Sequence, residues 1–375
     1  MRRLVPLVVL VLAGCDAIEP WVSSRVPPGG PTDVPPCVRL VECAMLDELI
    51  AGHVTEAADP APRCRDGLAP TTFDVSEDTR IDAASVACTE LTIEVAPGEA
   101  PLVIALEGAS LEDAHVVVHG RSRPVEVRLE VSRVVDATIV GEGAVVIATA
   151  GAELERARIE ALEVHVEGGE HRDVAITSPH GVLRLREAKL DVARIDVAHL
   201  ALERGAISDG VVRATRAELI GADFVDATLA IDELAAGGGD WLRSELARCG
   251  DALLSRVHLA ASRIAACEGR VVLDEVEADL SAFRGDLEGE WGYYAQCAFG
   301  GTTIELRSRI ADSALCGVAS LVANDIQCVR CEPESPPDVC GLVDGDTSFC
   351  PGICEAACEI GTLRFGGQAC RQADR

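Results

Sequence analysis

The sequence is poor in aromatic residues, lysine and asparagine. Aromatic side chains make up 3% of its 375 residues, Lys189 is the only lysine and Asn324 the only asparagine. Tight β-hairpins favour Asn-Gly and similar dipeptides, so the shortage of asparagine argues against an antiparallel β-sandwich. The chain has 62 acidic and 33 basic residues, a formal net charge of −29, and no basic stripe. Such a surface excludes nucleic acid as a partner.

The N-terminal apolar run is too short to span a membrane. Residues 4–13 are apolar and follow Arg2 and Arg3, whereas a transmembrane helix needs about 20 apolar residues. This combination is typical of a signal peptide.

The next residues, Leu12-Ala13-Gly14-Cys15, resemble the lipobox of bacterial lipoprotein precursors. The resemblance implies removal of residues 1–14 and acylation of Cys15, for example by palmitate. It also implies a lipid anchor in the bacterial cell envelope, on the periplasmic side or the cell surface. The alternative is an ordinary cleaved signal peptide.

The cysteines are numerous, and most of them follow Cys15. The chain has 16 cysteines, and so many suit disulfides in an oxidising compartment. The spacing of Cys350, Cys354 and Cys358 would also suit zinc in a reducing cytoplasm, but export favours disulfides.

Changes in composition divide the chain into five parts. Residues 15–36 are rich in proline and are predicted to form a tether. Residues 37–72 are predicted to form a helical N-terminal cap and lead-in, with an amphipathic helix over 37–52. Residues 73–325 are rich in aliphatic residues and form the main domain, and residues 326–375 form a disulfide-rich C-terminal cap.

A six-residue pattern recurs along the main domain: an apolar residue, two free positions, a small residue, one free position and an apolar residue. Its clear copies are LEDAHV (111–116), VVDATI (134–139), LERARI (154–159), HRDVAI (171–176), LDVARI (190–195), ISDGVV (207–212) and FVDATL (224–229). Weaker copies end at residues 93, 259, 278 and 315, and a poor one, WGYYAQ, ends at Gln296. Within each copy the last two apolar positions fit one face of a strand, and the small residue fits a crowded corner.

Repeats of this length are typical of a parallel β-helix. Most copies are 17–23 residues apart, too short for helical-hairpin repeats. We therefore predict an all-β fold, a parallel β-helix of about 11–12 coils. The variable coil length favours the right-handed form. Some segments, such as residues 222–231, also resemble a degenerate pentapeptide repeat, which stays the close alternative.

Acidic residues recur just before the corner of the pattern. Seven of the ten such positions are acidic. Asp113, Asp136, Asp209, Asp226 and Glu275 are among the acidic residues, and Arg256 is one of the three others. Stacked coils would put these side chains on one line about 5 Å apart, where like charges repel. Two explanations remain open. Aspartate suits a solvated corner, or the column binds a cation such as calcium.

Two other features lead to specific expectations. Cys249 and Cys267 are 18 residues apart and Cys297 and Cys316 are 19 apart, about one coil each. The spacing predicts the disulfides Cys249–Cys267 and Cys297–Cys316. Residues 237–249, GGGDWLRSELARC, are predicted to be a flexible loop and short helix inserted between coils, with Trp241 as a candidate binding lip.

Two classes of function follow. We favour a non-catalytic lipoprotein that is anchored to the membrane and uses the β-helix as a binding, adhesive or structural surface for an unknown protein or glycan. The alternative is a polysaccharide-active enzyme, similar to pectate lyases. Few aromatic residues and a single lysine argue against the enzyme. No common hydrolase, metalloprotease or phosphate-binding motif occurs, and no cofactor other than calcium is expected.

Overall fold

The structure, a computed structural model, describes one region of the chain almost completely. Its described residues are Cys64 and residues 68–120, 122–265, 267–301, 303–311, 313–316, 320–327, 330–331, 364–365 and 368–369. The predicted signal peptide, Cys15, the tether, the helix over 37–52 and most of the C-terminal cysteines lie outside the described residues. Where the chain is described, no helix is long and apolar enough to cross a membrane.

Most of the described residues belong to β-strands. The strands are β1 (Ala69–Val75), β2 (Thr79–Asp82), β3 (Thr89–Val95), β4 (Leu102–Glu112), β5 (His115–His119), β6 (Val125–Val135), β7 (Thr138–Glu142), β8 (Val145–Ala150), β9 (Glu153–Glu155), β10 (Arg158–Glu160), β11 (Glu163–Glu167), β12 (Glu170–Arg186), β13 (Lys189–Glu203), β14 (Ala206–Ser208), β15 (Val211–Ile220), β16 (Asp223–Val225), β17 (Thr228–Gly237), β18 (Asp240–Leu242), β19 (Glu245–Ser255), β20 (His258–Ala260), β21 (Arg263–Ile264), β22 (Val271–Asp274), β23 (Glu277–Asp279), β24 (Ala282–Arg284), β25 (Leu287–Ala295), β26 (Ala298–Gly300), β27 (Thr303–Ala311), β28 (Ala314–Cys316), β29 (Ser320–Gln327), β30 (Arg330–Cys331), β31 (Arg364–Phe365) and β32 (Gln368–Ala369). A 3₁₀ helix spans Ala83–Val86.

The strands β1 to β30 wind into a parallel β-solenoid of about 13 turns. One turn near the middle shows the plan: β14 pairs with β16 and β15 pairs with β17, all parallel, with Ala206 beside Asp223, 17 residues later. All-parallel rung-to-rung pairing confirms the predicted β-helix. The strands β31 and β32 form a separate antiparallel pair.

Inward-facing side chains stack in columns and form the core. Val116, Ile139, Ile159, Ile176 and Ile195 lie one above another on successive turns and are fully buried. Side chains alternate along each strand, so every second residue of a turn enters this core. Because each turn contributes to the same columns, the core is continuous along the repeats.

Residues 237–249 form an ordinary coil, which corrects the prediction of an inserted loop and helix. Gly237 ends β17, Asp240–Leu242 is β18 and β19 begins at Glu245. Gly239 has a φ of 102°, and a Cβ there would lie 2.1 Å from the carbonyl oxygen of Ala222. The glycines therefore allow a tight corner against the preceding turn. Trp241 is no binding lip, because its side chain is buried and its ring packs edge-on against Phe224 with centroids 5.2 Å apart.

The register after this coil also differs from the prediction. Leu259 and Ala278 stack on Trp241, which puts them at the first apolar position of a copy and not at the last. The true copies here are WLRSEL (241–246), LAASRI (259–264), ADLSAF (278–283) and YAQCAF (294–299). Missing the coil at 241 shifted the copies that were expected to end at 259, 278 and 296, whereas the copy that ends at 315 is in register. It also explains why the expected number of turns was too low.

Candidate functional site

The acidic column lies where the backbone adopts a left-handed conformation. One residue per turn just before the first corner has a φ between 47° and 54°. These residues are Asp113, Asp136, Arg156, Asp173, Val192, Asp209, Asp226, Arg243, Ala261, Leu280 and Gln296, and Cys88, with a φ of 55°, holds the same corner on the first turn. Aspartate is among the few residues other than glycine that enter this region readily, because its short polar side chain can bond nearby backbone groups. Backbone geometry alone therefore explains much of the acidic bias. We call this set the first-corner column.

Arg256 and Glu275 do not belong to the first-corner column. Their amides donate to Asp274 and Glu290, one turn further along, at a second corner of the coil. The second-corner column contains Glu187, Arg204, Gly221, Gly238, Arg256, Glu275 and Trp291. The correction follows from the shifted register, and Arg243 takes the place that Arg256 was expected to fill.

Arginine residues neutralise two of the predicted aspartates. Both guanidinium nitrogens Nε and Nη2 of Arg156 donate to the carboxylate of Asp136, at 2.6 and 3.0 Å. Arg243 holds Asp226 in the same two-point way, with Nε at 2.7 Å from Oδ1. The Asp136 side chain is only 3% exposed, so its pair with Arg156 is largely withdrawn from water. Such pairing offsets the repulsion that the column would otherwise suffer.

Asp209 and Asp113 have less compensation. Burial raises the pKa of the Asp209 carboxyl, and the nearby Asp226 and Asp191 raise it further. Within the described residues, the buried Oδ1 of Asp113 accepts no hydrogen bond. Asp113 lies beside Cys64 and Cys88, but these two cysteines are joined in a disulfide and supply no thiolate for a metal ion.

The structure contains one of the two predicted cysteine pairs. The structure places Cys249 and Cys267 on adjacent turns as a bonded pair, with Cα atoms 4.6 Å apart. A second pair, Cys64–Cys88, joins residue 64 to the first turns with Cα atoms 5.7 Å apart. It was not predicted, because Cys64 precedes the repeats and no coil spacing applied to it.

The disulfide Cys297–Cys316 is wrong in register. Cys316 stacks on Gly300, three residues beyond Cys297, and Cys297 carries a free, buried thiol. Cys297 is itself the small corner residue of the copy YAQCAF, so it faces the interior of the turn. Burial raises the pKa of this thiol, which keeps it protonated.

A buried column of hydroxyls runs through the same interior. The Ser244 amide donates to Ser262 Oγ at 3.2 Å and the Ser262 amide to Ser281 Oγ at 3.1 Å. Two turns later the Cys297 amide donates to Ser313 Oγ at 3.0 Å. Sequence reasoning missed this column, although serine replaces alanine at the small position of the corrected copies. The bonds satisfy backbone groups that the corners leave unpaired.

The solenoid surface has two shallow depressions of note. One, of about 320 Å³, surrounds His119, whose Nδ1 lies 2.7 Å from a carboxylate oxygen of Glu142 and whose Nε2 lies 3.9 Å from one of Glu94. The other, of about 560 Å³, lies beside the second-corner column and includes the exposed rings of Trp291 and Tyr293. Neither ring was predicted from the sequence to be a surface feature.

In comparisons with protein-family models, with curated proteins and with solved structures, nothing matched this chain.

Proposed function

We propose that the chain is a lipid-anchored protein of the bacterial cell envelope, whose solenoid serves as a non-catalytic binding or structural surface. The anchor rests on the Arg2-Arg3 start, the ten-residue apolar run and the lipobox-like Leu12–Cys15 segment. Acyl chains on Cys15 would hold it on a membrane at about 0.8 kcal/mol per buried methylene.

The observation that carries this proposal is the pairing of cysteines within the described coils. Cys64–Cys88 is a disulfide with its Cα atoms 5.7 Å apart, and Cys249 and Cys267 lie with their Cα atoms 4.6 Å apart, within the range of separations that disulfides span. Disulfides persist in oxidising compartments and are rare in the cytosol. Both pairs therefore support export of the domain, as the N-terminal pattern predicts.

The first-corner column supports a surface more than a catalytic centre. Its aspartates are placed by a backbone requirement, and Asp136 and Asp226 are each held by an arginine one turn away. The arginine hydrogen bonds occupy the oxygen atoms of both carboxylates, which leaves Asp136 and Asp226 little capacity to contact a substrate.

The experiment replaces Cys15 with serine in the full chain. We expect Cys15→Ser to abolish labelling by an alkyne-tagged palmitate and to move the protein from the membrane fraction to the soluble fraction. Cys37→Ser, which changes an N-terminal cysteine outside the lipobox-like segment, is the matched control and should behave as the parent. Equal labelling and membrane partitioning of Cys15→Ser and the parent would refute the anchor.

A further inference from the structure

Trp291 occupies a position that is costly for a tryptophan. It lies in the second-corner column with a φ of 60°, and its side chain is 75% exposed. On earlier turns the same column holds Gly221 and Gly238, which suit a left-handed backbone, or charged residues, which suit the surface. A bulky ring in this conformation is unusual, and its exposure forgoes the stabilisation that burial gives. Trp241 shows the contrast, since it is buried in the core.

A second aromatic ring lies in the adjacent outward column. Tyr293 follows His258 and Glu277 in register, one residue per turn, and is 40% exposed. The guanidinium carbon of Arg309, on the next turn, lies 5.7 Å from the centre of its ring. Two of the few aromatic residues in the chain thus lie together at the surface.

Between these two columns runs the depression of about 560 Å³. Arg256, Glu275 and Trp291 line one side, and His258, Glu277 and Tyr293 line the other. The first and third of these turns are separated by about 10 Å, since adjacent rungs are about 4.8 Å apart. We call this feature the Trp291 groove.

The Trp291 groove offers hydrogen-bond donors and acceptors of both charges. Arg256 can donate, whereas the carboxylates of Glu275 and Glu277 can accept. His258 Nδ1 donates to the Asp240 carboxylate at 3.3 Å, which leaves Nε2 of the neutral ring as an acceptor. Arg256 and Glu275 lie 4.0 Å apart and so balance each other. Arg309, beside the Tyr293 ring, supplies the second positive charge against the two glutamates. The groove is therefore close to neutral on a chain with a net charge of −29, and this balance suits a neutral ligand better than a basic one.

We propose that the Trp291 groove binds a neutral saccharide, with the Trp291 ring against the C–H face of a sugar. The glutamate carboxylates and His258 Nε2 accept hydrogen bonds from its hydroxyl groups, and Arg256 donates to its oxygens. A flat ring beside a few convergent polar groups is the arrangement by which such an amphipathic ligand gains both contact area and orientation. The length of the groove fits a di- or trisaccharide along the solenoid axis. This inference names the ligand class for the binding surface proposed above and rests on that proposal.

The test measures binding of defined saccharides to the purified full chain in mild detergent. The probes are cellotriose, xylotriose, chitotriose, mannotriose and maltotriose, with decalysine as a basic-peptide arm. Tryptophan fluorescence and its quenching by acrylamide report occupancy of the groove. We expect saturable binding of at least one trisaccharide, with protection of one tryptophan from the quencher. Trp291→Asn removes the ring while keeping a residue that tolerates the left-handed backbone, and it should weaken binding at least about tenfold.

Phe73→Ala is the matched control, because Phe73 is an exposed aromatic residue, 39% accessible, on β1. It should bind as the parent, and circular dichroism should show that both variants keep their strands.

Three outcomes would overturn the saccharide proposal. Either no trisaccharide binds, or Trp291→Asn binds trisaccharides as well as the parent does, or decalysine alone binds and its binding depends on Trp291 and on salt. Membrane partitioning of the same preparations is independent of these results, so failure of the groove and failure of the anchor are separable. Release of new reducing or unsaturated sugar ends would refute the non-catalytic role and leave the groove in place.

Discussion

At the residue scale, the corner positions show how a backbone requirement shapes composition. The first-corner column needs a left-handed backbone on every turn, and five of its residues from Asp113 to Asp226 are aspartates. Sequence reasoning found this column but could not tell a ligand site from a conformational preference, since both favour aspartate. The ion pairs of Asp136 and Asp226 became visible only when the coil register placed Arg156 and Arg243 beside them.

Loss of Arg156 should be more damaging than loss of Arg243. Arg156→Ala leaves the Asp136 carboxylate, whose side chain is 3% exposed, without its two-point partner. We expect a loss of about 2–4 kcal/mol in the free energy of unfolding, because a buried charge without its partner is costly. In Arg243→Ala the abandoned Asp226 side chain is 21% exposed, and water can replace the arginine at a cost of about 1 kcal/mol. Urea unfolding of the two variants measures the difference, and equal losses would contradict this account.

His171 should make stability depend on pH. It occupies a core column, where its Nδ1 accepts from the Leu154 amide at 3.2 Å and its Nε2 donates to the Gly168 carbonyl at 2.8 Å. Burial lowers the pKa of this imidazole. The folded state therefore resists protonation, and stability is lost as the pH falls below about 6.5, where the unfolded chain takes up the proton.

His171→Gln removes the titration but keeps a donor and an acceptor. Between pH 7.5 and pH 5 the Tm of the parent should fall by about 2–4 °C more than that of His171→Gln. The control is His115→Gln, which changes an outward-facing histidine and should follow the parent. Thermal melts across this pH range make the comparison, and parallel curves for the parent and His171→Gln would count against the buried imidazole.

At the element scale, a coil can be predicted where its corners keep the same residue types. Copies from residue 111 to residue 229 were found in register because alanine or glycine fills most of their small positions. After residue 240 the small residue becomes serine or Cys297, and the coil at Trp241 was mistaken for an inserted helix. The same error of register produced the wrong Cys297–Cys316 pairing. The Trp291 groove could not be foreseen at all, because it depends on two columns coming together across three turns.

The Cys249–Cys267 bond should stabilise the coils around it. It closes a loop of 18 residues between adjacent turns, and the chain-entropy model gives about 3 kcal/mol for such a loop. Cys249→Ala should therefore lower the Tm under non-reducing conditions. Dithiothreitol should remove the difference in Tm between this variant and the parent, because the reduced parent has lost the same bond. Cys297→Ser is the control, since a serine there joins the buried hydroxyl column and forms no disulfide. Non-reducing peptide mapping checks the pairing directly; Cys249 linked to a C-terminal peptide would contradict it.

At the scale of the whole molecule, the solenoid is built from units that interact only with their neighbours. The strand β14 pairs with β13 on one side and with β16 on the other, and the same holds turn after turn. Stability is then approximately a sum of coil and interface contributions, and no single turn is indispensable to the others. Such a scaffold can lengthen or shorten by whole coils while the corner and core columns stay in line.

Removal of one complete coil should leave a folded protein. Deleting residues 206–222 joins Gly205 to Asp223, which already lie next to each other, since the Asp223 amide donates to the Gly205 carbonyl. Phe224 then takes the place of Ile207 above Leu190, and Asp226 takes the corner of Asp209 while keeping its bond to Arg243. We expect an unchanged strand spectrum by circular dichroism and a Tm lower by only about 2–8 °C, because one interface is lost and one is remade. Deleting residues 206–213, half a coil, is the control: it moves every later corner to the wrong side of the solenoid and should prevent folding. If both deletions unfold the chain, the turns are not interchangeable units; if both fold, the corner register does not specify the stack.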